Sequence, residues 1–139
     1  MYRNNEGYAD PTVGAAMSTL MKEYKAMKRK QYLIRHRKKV YIASPYAGDV
    51  ENNVAKAISY CRFAIRKNYM PIASHLLYPQ ILDDSNPKER ELGTMFGMAL
   101  LEICDEVWVF GRSPGVNAEI REAEKLGKPI KYYRTEETK

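Results

Sequence analysis

Cysteine is scarce in this sequence. Its two residues, Cys61 and Cys104, stand 43 positions apart, each inside an apolar run. That excludes a disulfide-stapled scaffold and predicts two reduced, buried thiols. No further Cys or His stands at ligand spacing, so no metal site is expected. Long hydrophobic runs are missing too, since no stretch approaches the roughly 18 residues of a membrane-spanning helix. The start shows no signal-peptide pattern, so the expected compartment is the cytoplasm, with no membrane partner. Neither G-x-G-x-x-G nor a Walker loop occurs, which removes the two commonest phosphate cradles. No cofactor is expected. The chain holds no internal repeat and no low-complexity segment.

What is present suits a globular domain. The chain has 139 residues, 45% hydrophobic and 29% charged. That length is enough for one domain to bury a core unaided. The net charge of +6 is unevenly placed. Residues 22–39 hold nine Lys/Arg and one Glu, a net +8, which leaves −2 for the remainder. The basic character belongs to one segment, and nucleic-acid binding would rest on that segment alone. Such charge runs are more often a solvated face, so nucleic acid is not the expected partner.

Residues 1–10 are polar and aperiodic and read as an extended arm. Asp10-Pro11-Thr12 is a plausible helix start. Met17, Leu20, Met21, Tyr24, Met27 and Gln31 follow at spacings of three and four, which predicts an amphipathic helix over 11–32. It either folds back on the domain or serves as a dimerisation helix. Residues 1–37 thus form an arm and a basic helix, and residues 38–139 an α/β domain.

Within that domain strands are expected at 40–43, 69–73, 106–110 and 129–133, and helices at 50–67, 88–103 and 116–126. Val54, Ala57, Ile58, Cys61, Phe63, Ala64 and Ile65 mark the buried side of the first of these helices. Gly127 is a fitting C-cap for the last. Strand and helix alternate with short connections, which predicts a small parallel sheet, flavodoxin/Rossmann-like, with helices on both faces.

Ligands of such sheets bind beyond the carboxyl ends of the strands. Three segments fall there: Ser44 to Asp49, Ser74-His75, and Gly111 to Glu119. In the third, Gly111, Pro114 and Gly115 set a tight turn before a helix whose first N–H groups can hold an anion. Ser113 adds a hydroxyl there. Glu119, placed in the first helical turn, either faces the cleft or merely complements the helix dipole. Tyr41, Ser44 and Tyr46 suit stacking on a flat ligand, or else are a core and a surface tyrosine with a small neighbour. His75 is either a ligand contact or a structural histidine.

Together these segments resemble the nucleoside 2-deoxyribosyltransferase superfamily, which includes the 2'-deoxynucleoside 5'-monophosphate N-glycosidases. The likeness spans about residues 38–133. It rests on Y-I-A-S-P-Y-A-G-D-V-E-N-N-V, H-L-L-Y-P-Q-I-L-D-D and C-D-E-V-W-V-F-G, which look like uncharacterised, often phage or prophage, members. The resemblance implies a nucleoside or nucleotide ligand and makes Glu119 the nucleophile toward the sugar's anomeric carbon. Tyr41 would position it. Ser44, Pro45, Tyr46, His75, Ser113, Gly115 and Asn117 would line the ligand site, with Ser113 matching the phosphate-binding serine of the monophosphate glycosidases. It also implies a homo-oligomer whose subunits complete each other's cleft. Two departures stand out. The family's Asp that protonates or orients the leaving base corresponds to Gly97, and Ala47 replaces a frequent Arg. Missing acid assistance typically costs about 10²–10⁴-fold in rate. The implied function is therefore cleavage or transfer at an N-glycosidic bond. The alternative is a non-catalytic binder that sequesters a nucleotide-derived immune signal, in a phage setting an anti-defence protein. Glu91 or Glu102 would replace the missing acid only if the helix turned one of them into the cleft.

Overall fold

The computed structural model describes residues 11–139. The expected arm at 1–10 lies outside them. The chain divides into two compact units after Arg37. The described part of the first is dominated by helix α1, Pro11–Arg35. It runs three residues beyond the expected end, and Leu20, Met21, Tyr24 and Met27 on its apolar stripe are all exposed.

The second unit is a four-stranded, all-parallel sheet, β1 Lys39–Ala43, β2 Met70–Ile72, β3 Glu106–Val109 and β4 Ile130–Tyr132, in the order β2-β1-β3-β4. Helices α2 Val50–Arg66, α3 Pro87–Ile103 and α4 Pro114–Lys125 connect the strands. The fold is thus α/β of the flavodoxin/Rossmann kind, as the alternation predicts. β1 and β3 lie side by side, with Tyr41 opposite Val107 and Ile42 opposite Trp108. Successive side chains of a strand point to opposite faces, and both central strands are apolar on each. Tyr41, Ala43, Val107 and Val109 pack with Leu101 of α3 and Val116, Ile120 and Ala123 of α4. Val40, Ile42, Trp108 and Phe110 pack with Tyr60, Phe63 and Ala64 of α2. Helices therefore cover both faces, which is why the strands read as continuous hydrophobic runs.

Local chemistry fixes the helix ends. Asp49 Oδ1 accepts from Asn52 N–H at the start of α2. Asn86 Oδ1 accepts from Lys88 N–H at 3.0 Å, with Pro87 opening α3. Gly127, at φ +69°, follows the last turn of α4 in the left-handed conformation that ends many helices. Two expectations need correction. Ile58 and Ile65 of α2 are about half exposed, because the buried stripe runs through Ala57, Tyr60, Phe63 and Ala64 instead. The outer strands are three residues long, not five. Both thiols are free, Cys104 buried and Cys61 half-buried.

Candidate active site

The strand order reverses between β1 and β3, so their carboxyl ends part and leave a crevice, the usual ligand position in open α/β sheets. A cavity of about 200 Å³ opens there. Tyr41 and Tyr46 line it from β1 and its following loop, and Ser74, His75 and Tyr78 from the turns after β2. Glu89, Arg90, Gly93, Thr94, Gly97 and Met98 line it from α3, and Gly115, Ala118 and Glu119 from α4.

Glu119 is the chemically unusual member. It is 9% exposed, and its Oε2 is buried without a hydrogen-bond partner among the described residues. Burial pushes its carboxyl up to about 7, against the opposing pull of the Tyr41 hydroxyl. An unsatisfied buried carboxylate is costly, so its presence on a cavity wall points to function. α4 begins at Pro114, not Val116, and Glu119 therefore stands in the second turn, not the first as expected. The reading of a simple dipole complement loses its basis, because that effect fades beyond the first turn.

Tyr41 Oη hydrogen-bonds with Ser74 Oγ at 2.8 Å. Burial, and next the Glu119 charge, hold its hydroxyl well above the ordinary tyrosine value. It therefore stays a proton donor. Ser44 Oγ lies 3.2 Å from His75 Nε2, and the His75 ring stacks on Tyr46 with centroids 6.0 Å apart. Burial lowers the His75 pKa, so the ring is neutral at pH 7. Asn53 Nδ2 donates to the carbonyls of Tyr46 and Ala47 and fixes the loop that carries Tyr46.

Of the residues expected at the site, Tyr41, Tyr46, His75, Gly115 and Glu119 meet at this cavity. Ser44 supports His75 from behind. Ser44 and Pro45 also border a separate hollow of about 130 Å³ with Asn53, Lys56 and Gly111. Ser113 lies off the cavity and caps α4, its Oγ accepting from Val116 N–H at 3.1 Å. Asn117 accepts from Arg112 Nε at 3.0 Å and is likewise off the cavity wall. Glu91 and Glu102 are exposed and do not line it. Sequence reasoning put Ser74 in a candidate segment without giving it a role, and it missed Tyr78, which sits in a 3-10 turn without a periodic signature. It also missed Glu89, although Glu89, Gly93 and Gly97 recur every four residues and so share one face of α3.

Residues 38–133 match a family model described as a domain of unknown function, DUF7768. The chain belongs to this family. No curated protein matches it in sequence. The DUF7768 chain is similar in structure to the 2-deoxyribosyltransferase of the psychrotolerant bacterium Bacillus psychrosaccharolyticus, with a TM-score of 0.57 and 16% identity over 69% of this chain and 72% of that one. It is also similar to the Leishmania mexicana 2-deoxyribosyltransferase, with a TM-score of 0.50 and 18% identity over 70% and 64%. The Clostridium botulinum CMP N-glycosidase BcmB gives 0.44 and 20% over 70% and 69%. The DUF7768 domain thus has a nucleoside 2-deoxyribosyltransferase-like fold. Among the described residues no helix is long and apolar enough to cross a membrane.

Proposed function

We propose that this domain binds a nucleoside or nucleotide in the cavity and cleaves or transfers at its N-glycosidic bond through Glu119. The observation that carries the reading is the buried, unpartnered Glu119 Oε2 on the cavity wall beside Tyr41. The ionised carboxylate attacks the anomeric carbon as the bond to the base breaks, through an oxocarbenium-like transition state. Tyr41, tied to Ser74, orients the carboxylate by its hydroxyl. Incubation of pure protein with nucleosides, nucleoside monophosphates and cyclic nucleotides, followed by chromatography, tests this. Free base released by wild type and not by Glu119→Ala is the expected result.

A second reading is favoured by Gly97, which offers no acid to the leaving base: the cavity holds a nucleotide-derived signal without cutting it. Intact nucleotide recovered only after heating the protein would select that reading.

We also propose a homo-oligomer joined through α1. Met17, Leu20, Tyr24, Met27, Gln31 and Ile34 alternate at spacings of three and four, the seam of a coiled coil. Light scattering at micromolar concentration should give a dimer or larger, and Leu20→Glu should give a monomer.

A further inference from the structure

A neutral nucleoside loses its base as an anion unless an acid supplies a proton. The cavity is poorly equipped for that step. A Cβ at position 97 would lie 3.2 Å from Ser74 Oγ and 3.5 Å from Tyr41 Oη. Any side chain there would face the reacting end, yet the residue is glycine. Ser74 is an alcohol, not an acid. Burial makes Tyr41 a weaker acid than an ordinary tyrosine and leaves His75 without a proton to give at neutral pH. Glu119 cannot be nucleophile and acid at once, and Glu89 stands eight residues before Gly97 on α3, about 12 Å along the helix axis.

The same cavity is lined by more acidic than basic residues. They are Asp84, Glu89 and Glu119 against one cation, Arg90. Arg90 is turned to Asp84: its Nε donates to the Asp84 carbonyl at 3.2 Å and lies 4.0 Å from Oδ1. Tyr46 and Tyr78 add aromatic walls, whose faces attract cations. Glu119 Oε2, buried and without a partner, marks where the reaction centre sits.

We propose that the substrate is an N-glycoside whose base carries a fixed positive charge, a pyridinium or an N-alkylated purine, displaced by Glu119 without proton donation. The inference rests on the catalytic reading of Glu119 given above. The bond from the Glu119 oxygen to the anomeric carbon forms as the carbon–nitrogen bond breaks. The electron pair enters the ring and cancels its charge, so the base departs neutral. Water then adds to the anomeric carbon, the carboxylate leaves, and the water's proton passes to solvent. No step needs the acid that Gly97 lacks. Neutral bases, by contrast, meet a deficit of about 10²–10⁴-fold, the usual size of acid assistance.

The test compares 7-methylguanosine with guanosine, which differ by one methyl group and one charge, and adds nicotinamide riboside as a second cation. Each wild-type rate is divided by the uncatalysed rate, because cationic glycosides hydrolyse faster unaided. Calorimetry with Glu119→Gln protein gives affinity without turnover. The expected result is rate enhancement at least about 10²-fold larger for the two cations. Affinity for them should be about tenfold higher than for guanosine. Asp84→Asn combined with Glu89→Gln should erase the affinity difference while circular dichroism stays unchanged. Guanosine enhanced as much as 7-methylguanosine would overturn the substrate class and leave the role of Glu119 standing. Release of base from none of the three nor from the wider nucleotide panel would overturn both.

Discussion

Helix α1 and the α/β domain place their apolar residues in opposite ways. On α1, Leu20, Met21, Tyr24 and Met27 are 47–56% exposed, whereas Val40, Ile42, Val107 and Trp108 of the sheet are fully buried. Both segments are rich in hydrophobic residues, so composition does not separate them. Periodicity and neighbours do. A strand flanked by two others and covered on both faces loses all its apolar surface to the core. A single helix presents one stripe, and that stripe is buried only where something packs on it. The charge follows a different boundary: the net +8 of residues 22–39 includes Lys38 and Lys39 of the second unit, and the rest of the chain sums to −2.

The largest expected effect sharpens the packing contrast. Trp108→Ala removes a fully buried ring that packs against Phe63, Tyr69 and Tyr133. It should cost about 3–5 kcal/mol in a denaturant titration. Leu20→Ala, measured under dilute conditions, should stay within about 0.5 kcal/mol. Equal losses at the two positions would mean that α1 is held as firmly as the core.

Next comes the cost of keeping Glu119 buried. Its folded pKa of about 7 exceeds the ordinary 4.5. Between these values the folded state keeps a proton that the unfolded chain has released. Stability is therefore fully present below pH 4.5 and falls as pH rises toward and through 7, by about 3 kcal/mol in all. Glu119→Gln cannot ionise, so its stability relative to wild type should improve by about that amount between pH 4.5 and pH 8. Thermal melts of both proteins at the two pH values measure this. Turnover should run the other way, rising through pH 7 as the carboxylate ionises, and a rate flat across pH 6–8 would argue against Glu119 as the nucleophile.

The smallest expected effect tests whether the two regions are functionally separate. Replacing Lys28, Arg29 and Lys30 with Gln should leave nucleoside cleavage within about twofold, since none lines the cavity. If the same variant lost a salt-sensitive affinity for nucleic acid, the basic helix would have a function of its own.

Much of the domain was legible in advance because its signals are local. Apolar runs named the central strands, Pro and Gly punctuated the helices, and the Gly-rich turn before α4 marked the end of β3. Glu119 was singled out by its place after that turn and by resemblance. Ser74 was legible only as part of a candidate segment and Tyr78 not at all, because the β2–α3 connection makes 3-10 turns that leave no period to read. Ser113 is expected as a ligand contact, and its hydroxyl also caps α4, two roles that spacing does not separate.

The sequence by itself determined the alternation of strand and helix, the parallel sheet that alternation forces, the uneven charge and the absence of an acid at position 97. These follow from residue type and order along the chain. Only the tertiary structure decided that Glu119 lies in the second turn of α4 with an unpartnered oxygen on a cavity wall. Only it decided that Tyr41 meets Ser74, and that Asp84, Glu89 and Arg90 border the same cavity. Those facts depend on which faces of β1, α3 and α4 converge, and convergence is set by packing between segments far apart in the chain.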